Sequence, residues 1–256
     1  MITKISRQLT QLTFTIPLAL ITLLVSTPIV KIQGSQPKQS ERPEPPETGT
    51  PSGDPTPGTT RPEATCPETS KPLTALLANN GSDFTVSEYP TFWFYVPYAP
   101  NQISTIEFLL LDERERKTIY QTSVKLTERP GLIKITIPSE PQYALKLNEN
   151  YRWRLNLDCE PDTTVEPDLM LNGWIQRIPI TSQLENQLEA VKPKEYIAYQ
   201  DNGIWYDAIT NLAQLHSADP ENREFAQDWA NFLESLGSNW VIQEPFVDSV
   251  LLPLED

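Results

Sequence analysis

The spacing of apolar residues changes at Thr181, and this change limits the fold more than any other feature of the chain. Before it, strand-length segments alternate apolar and polar side chains. In residues 151–158, for example, one face carries Tyr151, Trp153, Leu155 and Leu157. After it, apolar residues recur every three to four positions, beginning with Leu184, Leu188 and Val191. Alternation is the period of a half-buried strand, and the later spacing is that of an amphipathic helix. The sequence therefore predicts an α+β protein.

Strand-length segments separated by turn signals fill residues 73–180. The segments STIEFLLLD and TIYQTSVKL flank the charged turn Asp112–Lys117, as the two arms of a hairpin do. Another segment, GLIKITIP, follows the Pro130-Gly131 turn. About seven short strands with Pro and Gly turns predict an antiparallel β-sandwich in which each sheet has one solvated face.

Residues 181–256 are expected to form a helical segment packed on this β domain. Starting and stopping signals divide it into four helices. Their predicted limits are a Thr181 cap to Val191, Pro193 to Gly203, Ile204 to Ser217, and an Asp219-Pro220 cap to Gly237. The tail beyond Gly237 is apolar enough to pack but has no clear period.

The N-terminal quarter of the chain has the composition of a targeting segment and a linker. Lys4 and Arg7 precede an apolar run from Leu12 to Val30, which is the layout of a secretory signal. Residues 1–32 are interpreted as a signal peptide or, if uncleaved, a membrane anchor. Residues 33–72 are dominated by Pro, Glu, Thr, Ser and Gly, and such a stretch buries too little apolar surface to fold. We expect a disordered linker there, with a Pro-rich ligand for another domain as the alternative.

Negative charge is concentrated at the C-terminal end. The chain has a net charge of -14, and residues 181–256 contain 14 acidic side chains against only Lys192, Lys194 and Arg223. An acidic surface repels phosphate backbones. Nucleic-acid binding is therefore not expected, and contact with a membrane is expected only through the N-terminal segment.

The two cysteines, Cys66 and Cys159, are an even pair in a chain with an export signal. Such a pair predicts one disulfide that fastens the start of the folded part to a later strand. Two free thiols are the alternative. Two cysteines and one histidine are too few for a Cys/His metal cage, so no metal or cofactor is expected.

Catalytic motifs are not visible in the sequence. The lone histidine, His216, falls near the end of a predicted helix, where a surface or capping role is simplest. The acidic pairs Glu195/Asp201 and Asp201/Asp207 could supply the two carboxylates of a hydrolase, but acids are common in this region. The sequence therefore predicts a protein that is not an enzyme, with the acid-residue hydrolase as a lesser alternative.

An aromatic run from Phe92 to Tyr98 is the most unusual apolar feature. Alternation places some of its rings on each face of a strand, so either both faces are covered or one presents an aromatic patch. Trp93, Tyr95 and Tyr98 are candidate surface residues for a carbohydrate or a peptide. Asp201 and Asp207 are candidates for a second binding surface on the helical part.

Several of these segments resemble one protein family in their order along the chain. FTVSEYPTFWFYVPY, YQTSVKLTERPGLIKITIP, YRWRLNLDC, NGWIQRIPI and the run from ENQLEA to YQDNGIWYDAITNLAQL are similar to the cyanobacterial domain of unknown function DUF928. The resemblance spans about residues 73–247. It implies an exported cyanobacterial protein and supplies no catalytic residues.

The helical part separately resembles a single degenerate tetratricopeptide-like hairpin. Gly203, Ala208 and Pro220 stand at that repeat's spacing, with Ile209 and Leu212 at its apolar positions. One copy cannot form the concave groove of an array. We therefore expect this hairpin to pack on the β domain.

The function expected from these features is that of a non-enzymatic interaction or assembly module of the cell envelope. The protein would be periplasmic, or anchored in the inner membrane and facing the periplasm, with a protein partner in the envelope. A carbohydrate- or peptide-binding module that uses the aromatic strand is the alternative.

Overall fold

Two β-sheets and four helices make up the part of the chain that the structure describes, residues 66–78, 82–160 and 166–253. The structure is a computed structural model. The predicted signal or anchor and the linker up to residue 65 lie outside the described residues. Within the described residues, no helix is long and apolar enough to cross a bilayer.

The nine strands in the described residues are distributed unequally between the two sheets. They are β1 (Thr74–Ala75), β2 (Ser82–Thr85), β3 (Thr91–Val96), β4 (Thr105–Asp112), β5 (Thr118–Leu126), β6 (Gly131–Thr136), β7 (Asn150–Asp158), β8 (Leu169–Arg177) and β9 (Ser249–Leu252). The smaller sheet has the order β1-β3-β6, and the larger has the order β2-β8-β7-β4-β5-β9. The predicted hairpin is confirmed as the antiparallel pair β4 and β5.

One edge of the larger sheet differs from the antiparallel arrangement that the sequence predicts. Strand β2 runs parallel to β8, with Phe84 opposite Gln176. A hairpin turn would force two strands to be antiparallel, but most of the β domain separates β2 from β8 in the chain, so no turn fixes their relative direction. The arrangement is two facing sheets of which one is mixed.

Strand β3 is buried on both faces, which explains the aromatic run. Phe92 and Phe94 point into the core between the sheets, where the ring centroids of Phe92 and Phe108 are 4.9 Å apart. Trp93 and Tyr95 point the other way, into a second core shared with the helices. The smaller sheet is thus the middle layer between the larger sheet and the helices.

The helices begin and end at identifiable signals. They are α1 (Ser182–Val191), α2 (Glu195–Asp201), α3 (Trp205–Ala218) and α4 (Arg223–Ser235). The Thr181 hydroxyl accepts the Leu184 N–H at 3.2 Å and caps α1 as predicted. Gly203, just beyond α2, has φ of 71°, a left-handed conformation that favours glycine.

Helix α4 starts later than its predicted cap at Asp219-Pro220. The Asn222 side chain accepts the N–H groups of Glu224 and Phe225 and is the N-cap. Asp219 instead accepts a hydrogen bond from the Asn222 amide at 3.2 Å. The amide side chain next to the helix satisfies its free N–H groups, and the preceding acid holds that amide in place.

The C-terminal tail returns to the β domain. The Leu132 N–H donates to the Pro245 carbonyl at 2.8 Å, and β9 then pairs antiparallel with β5. A Cβ atom on Gly131 would lie 2.6 Å from the Pro245 oxygen, so this crossing needs a glycine. The chain after the helices therefore closes over the edge of both sheets.

Candidate functional site

A polar cleft lies where the first turns of α2 and α3 face the segment that joins β2 to β3. Its volume is about 310 Å³. The cleft is lined by hydroxyl, amide, carboxylate and tyrosine side chains, from Thr85, Ser87, Tyr89, Pro90, Thr91, Glu195, Tyr199, Tyr206, Asp207, Thr210, Asn211 and Gln214. The twelve lining residues come from two helices and from the stretch between the end of β2 and the start of β3, and almost all of them are polar, so the cleft is suited to hydrogen bonding.

Asp207 connects the first turn of α3 to the β2–β3 segment. Its Oδ2 accepts the Val86 N–H at 3.1 Å, and its carboxyl group accepts a hydrogen bond from the Thr85 hydroxyl. The Thr85 hydroxyl in turn accepts the Ser87 N–H at 3.0 Å. Burial of the carboxyl group raises the pKa of Asp207 to about 6, although these hydrogen bonds lower it.

Glu195 is placed in the first turn of α2 and is held by α3. The Asn211 amide donates to Glu195 Oε2 at 3.2 Å, while Asn211 Oδ1 accepts the Tyr196 N–H at 2.9 Å. One side chain of α3 thereby orients the carboxylate and satisfies an N–H group of α2. This pairing explains why the two helices meet at a fixed register at the rim of the cleft.

The charges of both cleft carboxylates, Asp207 and Glu195, act on the Tyr199 phenol. Burial, together with the negative charges of Asp207 and Glu195, raises the pKa of Tyr199 to about 12. Two acids from different helices therefore act on one hydroxyl group in the cleft. At neutral pH this phenol is a neutral hydrogen-bonding group.

Tyr206 joins the cleft to the core between the sheets. Its hydroxyl accepts the Trp153 indole N–H at 2.7 Å and donates to the Trp174 carbonyl at 2.9 Å. The ring is buried and stands edge-on to Phe92, with centroids 5.2 Å apart. Because its hydroxyl is hydrogen-bonded to groups in the protein interior, Tyr206 forms a rigid part of the cleft wall.

Of the acids singled out in the sequence, Asp207 and Glu195 line the cleft and Asp201 does not. Asp201 is exposed at the end of α2. Its distance in sequence from the other two acids gave no reason to exclude it. Asp201 is the last residue of α2, however, and Glu195 is the first, so the two side chains lie at opposite ends of the helix. The structure thus brings together one acid from the start of each of two helices.

The candidate residues of the aromatic strand are buried. Trp93, Tyr95 and Tyr98 are only 6%, 4% and 4% exposed, so the strand presents no ring platform. The helical layer covers Trp93, whose indole N–H donates to the Thr210 hydroxyl at 3.1 Å, and the Tyr95 ring lies edge-on to Trp240. The aromatic-patch interpretation fails here because the helices and the tail occupy that face.

A second cavity of about 370 Å³ lies beside Trp93 and Phe246. Its charged lining residues are of both signs, Glu128, Asp248 and Lys134. It is larger than the polar cleft, but the mixed charges and the apolar wall define no single ligand chemistry.

The disulfide predicted between Cys66 and Cys159 is present, with a sulfur–sulfur distance of 2.05 Å. Asp168 lies beside it and accepts the Cys159 N–H at 3.0 Å. The three side chains fall within 4.8 Å of one another, which is metal-ligand spacing. The sulfur atoms are bonded to each other, however, and a metal would require thiolates.

His216 is not the surface residue that its place near a helix end suggests. Its ring stacks on Trp229, with centroids 6.0 Å apart, and touches Phe246. Burial lowers the pKa of His216, so it packs as a neutral ring. It lies outside the polar cleft.

Four cleft residues that the sequence reasoning missed carry a recognisable signal. Thr85, Ser87, Tyr89 and Thr91 occupy alternate positions from the end of β2 to the start of β3, and all four line the cleft. A row of hydroxyl groups with a period of two in the sequence predicts one face of an extended chain, although the chain bends here at residues 88–89. This pattern was not recognised in the sequence because the neighbouring aromatic residues dominate the same stretch.

The fold and the cleft together define an α+β protein of two facing sheets and a helical layer, with a polar site at the junction of helices and strands. The family model described as Domain of Unknown Function (DUF928) matches residues 56–246, and the chain belongs to that family. No curated protein matches the sequence.

Proposed function

We propose that this protein is an exported module of the cell envelope that binds a partner through the polar cleft without converting it chemically. The observation that carries the proposal is the cleft itself, which holds polar groups from α2, α3 and the β2–β3 segment in fixed hydrogen bonds. Concave sites with convergent polar groups are where proteins bind ligands.

Export is supported by the N-terminal sequence and by the disulfide. Disulfides persist in oxidising compartments and are rare in the cytosol. The bond between Cys66 and Cys159 closes a loop of most of the β domain. Together with the basic and apolar N-terminal layout, this favours a periplasmic location, either free or held by an N-terminal anchor.

Fractionation of cells tests the location. We expect the protein in the periplasmic or membrane fraction, with both cysteines protected from thiol reagents until a reductant is added. A cytoplasmic protein with two reactive thiols would contradict the proposal of export.

Plugging the cleft tests the binding function. Gln214 is exposed at the rim, where it borders both the cleft and the second cavity, and Gln214→Trp is expected to fill the cleft without disturbing the core. Ser217→Trp places the same side chain at an exposed residue of α3 that lines only the second cavity, and it is the matched control. Affinity capture from envelope extract should yield a partner with the wild-type chain and with Ser217→Trp, and lose it with Gln214→Trp. Equal capture by all three chains would remove the cleft from the function.

A second candidate function, hydrolysis by two carboxyl groups, is favoured by one observation. Glu195 and Asp207 share the cleft, and the pKa of Asp207 is raised to about 6, in the range of a general acid at neutral pH. If the wild-type chain releases reducing ends from envelope polysaccharide, and both Glu195→Gln and Asp207→Asn lose this activity, the function is hydrolysis and not binding alone. If none of the chains changes the polysaccharide, the proposal of a binding module stands.

A further inference from the structure

The cleft contains negative charge without a matching positive charge. None of its twelve lining residues is Lys, Arg or His, whereas two are acids. The basic residues next to Glu195 in the sequence are already paired, Lys192 with Glu189 and Lys194 with Glu224. An anionic ligand would therefore meet like charge, and a cationic ligand would meet opposite charge.

Two partly buried acids elsewhere in the described residues, Glu115 and Glu244, are each paired with a cation. The Arg152 guanidinium lies 2.5 Å from Glu115, and Lys71 pairs with Glu244. Asp207 differs, because the groups that act on its carboxyl are the Thr85 hydroxyl and backbone N–H groups, which carry no full charge. A desolvated carboxylate held only by neutral donors gains stability when a cation arrives.

Tyrosine rings complete the walls. Tyr89 and Tyr199 line the cleft beside the two acids. The face of a tyrosine ring attracts ammonium and guanidinium groups, and this attraction distinguishes an organic cation from a hard metal ion, which prefers a full shell of oxygen ligands. The hydroxyl and amide groups of the remaining lining residues can bind the N–H donors of such a cation or polar groups next to it.

We propose that the cleft recognises an organic cation, an ammonium or guanidinium group, with Asp207 and Glu195 as its counter-charges and the tyrosine rings as its walls. The inference rests on the proposed binding function and names the chemistry of the ligand. Two sources share this chemistry, a lysine or arginine side chain of a partner protein and a free polyamine. The hydrogen bonds from Val86 and Asn211 hold the two carboxylates in place in the absence of a ligand, which lowers the cost of ordering the site.

Calorimetric titration of the oxidised full chain at pH 7.5 and low ionic strength tests the proposal. The probes are Nα-acetyl-lysine methylamide, the arginine equivalent, spermidine, calcium chloride, N-acetylglucosamine and Nα-acetyl-glutamate methylamide. We expect binding of at least one of the first three, and no binding of the sugar or the glutamate derivative. Preference for an amino-acid probe over spermidine identifies a protein side chain as the ligand, and the reverse preference identifies a polyamine.

Variants with the same change of charge separate the cleft from the acidic surface. Asp207→Asn and Glu195→Gln should each weaken binding of the cation by at least about tenfold, because each removes a charged hydrogen-bonding partner. Asp201→Asn removes an exposed acid from the same helix as Glu195 but outside the cleft, and it should leave affinity within about twofold. Circular dichroism at each titration temperature verifies that the variants are folded. If Asp207→Asn is not folded, the test relies on Glu195→Gln.

Three results would overturn the proposal. They are the lack of binding by all organic cations, an equal loss with Asp201→Asn, and tighter binding of calcium than of any organic cation. If envelope capture still depends on the Gln214 position in those cases, the binding function stands and only the cationic ligand is wrong. If capture does not depend on it, the function fails as well.

Discussion

The ionised carboxyl of Asp207 should destabilise the folded protein, and Asp207→Asn should reveal this as a pH-dependent difference in stability. The folded protein raises the pKa of Asp207 from 3.8 to about 6, with burial as the largest cause. A carboxyl group with a raised pKa binds its proton more tightly in the folded than in the unfolded chain. Stability from this group is therefore fully present below pH 3.8 and is lost as the pH rises through about 6.

The size of the effect follows from the change in pKa. Each tenfold change in proton affinity corresponds to about 1.4 kcal/mol, so ionising this carboxyl in the folded protein costs about 3 kcal/mol of stability at neutral pH. Asn keeps an oxygen that can accept the Val86 N–H and carries no charge at any pH. Relative to Asp207→Asn, the wild-type chain should lose about 3 kcal/mol between pH 3.5 and pH 7.

Urea unfolding of both chains, followed by tryptophan fluorescence at half-unit steps of pH, measures this difference. Groups other than Asp207 titrate in both chains and cancel in the comparison. A difference that stays constant with pH, or one that moves in favour of the wild-type chain as the pH rises, would refute the reasoning. It would mean that the Asp207 carboxylate already has a stabilising charge partner in the folded protein.

Three other predictions concern the fold. Replacing Cys66 and Cys159 by Ser should lower the free energy of unfolding by roughly 4–5 kcal/mol, the chain-entropy value for a loop of this length, and urea unfolding of the wild-type chain with and without reductant should show the same loss. Gly173→Ala should cost about 1–3 kcal/mol in the same assay, because its Cβ would lie 2.4 Å from the fully buried ring of Trp153; an unchanged midpoint would show that the core yields there. Tyr206→Phe should cost about 1–3 kcal/mol by leaving the Trp153 indole N–H without its acceptor, and a smaller loss would mean that a water molecule replaces the hydroxyl.

Most of the strands and helices were predictable because they carry a local signal. The alternation in 150–158 reappears as β7, in which Tyr151 and Trp153 point inward and Arg152 and Arg154 are partly exposed. The change of period at Thr181 coincides with the start of α1. Such patterns depend on residues close in sequence, and they reflect which face of an element meets the core.

The layer order was less accessible to sequence reasoning. The aromatic residues of β3 fit either a covered strand or an exposed patch, and only the packing of the helical layer on that face decides between them. The tail had no period, and β9 is defined by pairing with β5, a strand distant in sequence. Long-range pairing of this kind leaves little local signal in a short segment.

The cleft combines residues that the sequence reasoning treated separately. Asp207 and Glu195 stood out as acids, yet so did Asp201, and the sequence could not separate the three. Asn211 had no signal because its role is to bridge two helices whose relative placement was unknown. A site made from two helices and the stretch that joins two strands becomes visible only when all of these are brought together.

Chemical-shift mapping of the cation on the protein tests the central claim most directly. With isotope-labelled full chain and Nα-acetyl-lysine methylamide or spermidine as the probe, the largest amide shifts should fall at Val86, Ser87, Asp207 and Thr210. The same titration on Glu195→Gln should reduce those shifts at equal probe concentration. Shifts spread over the exposed acids of α1 and α4, with none in the cleft, would contradict the claim that this cleft is the binding site.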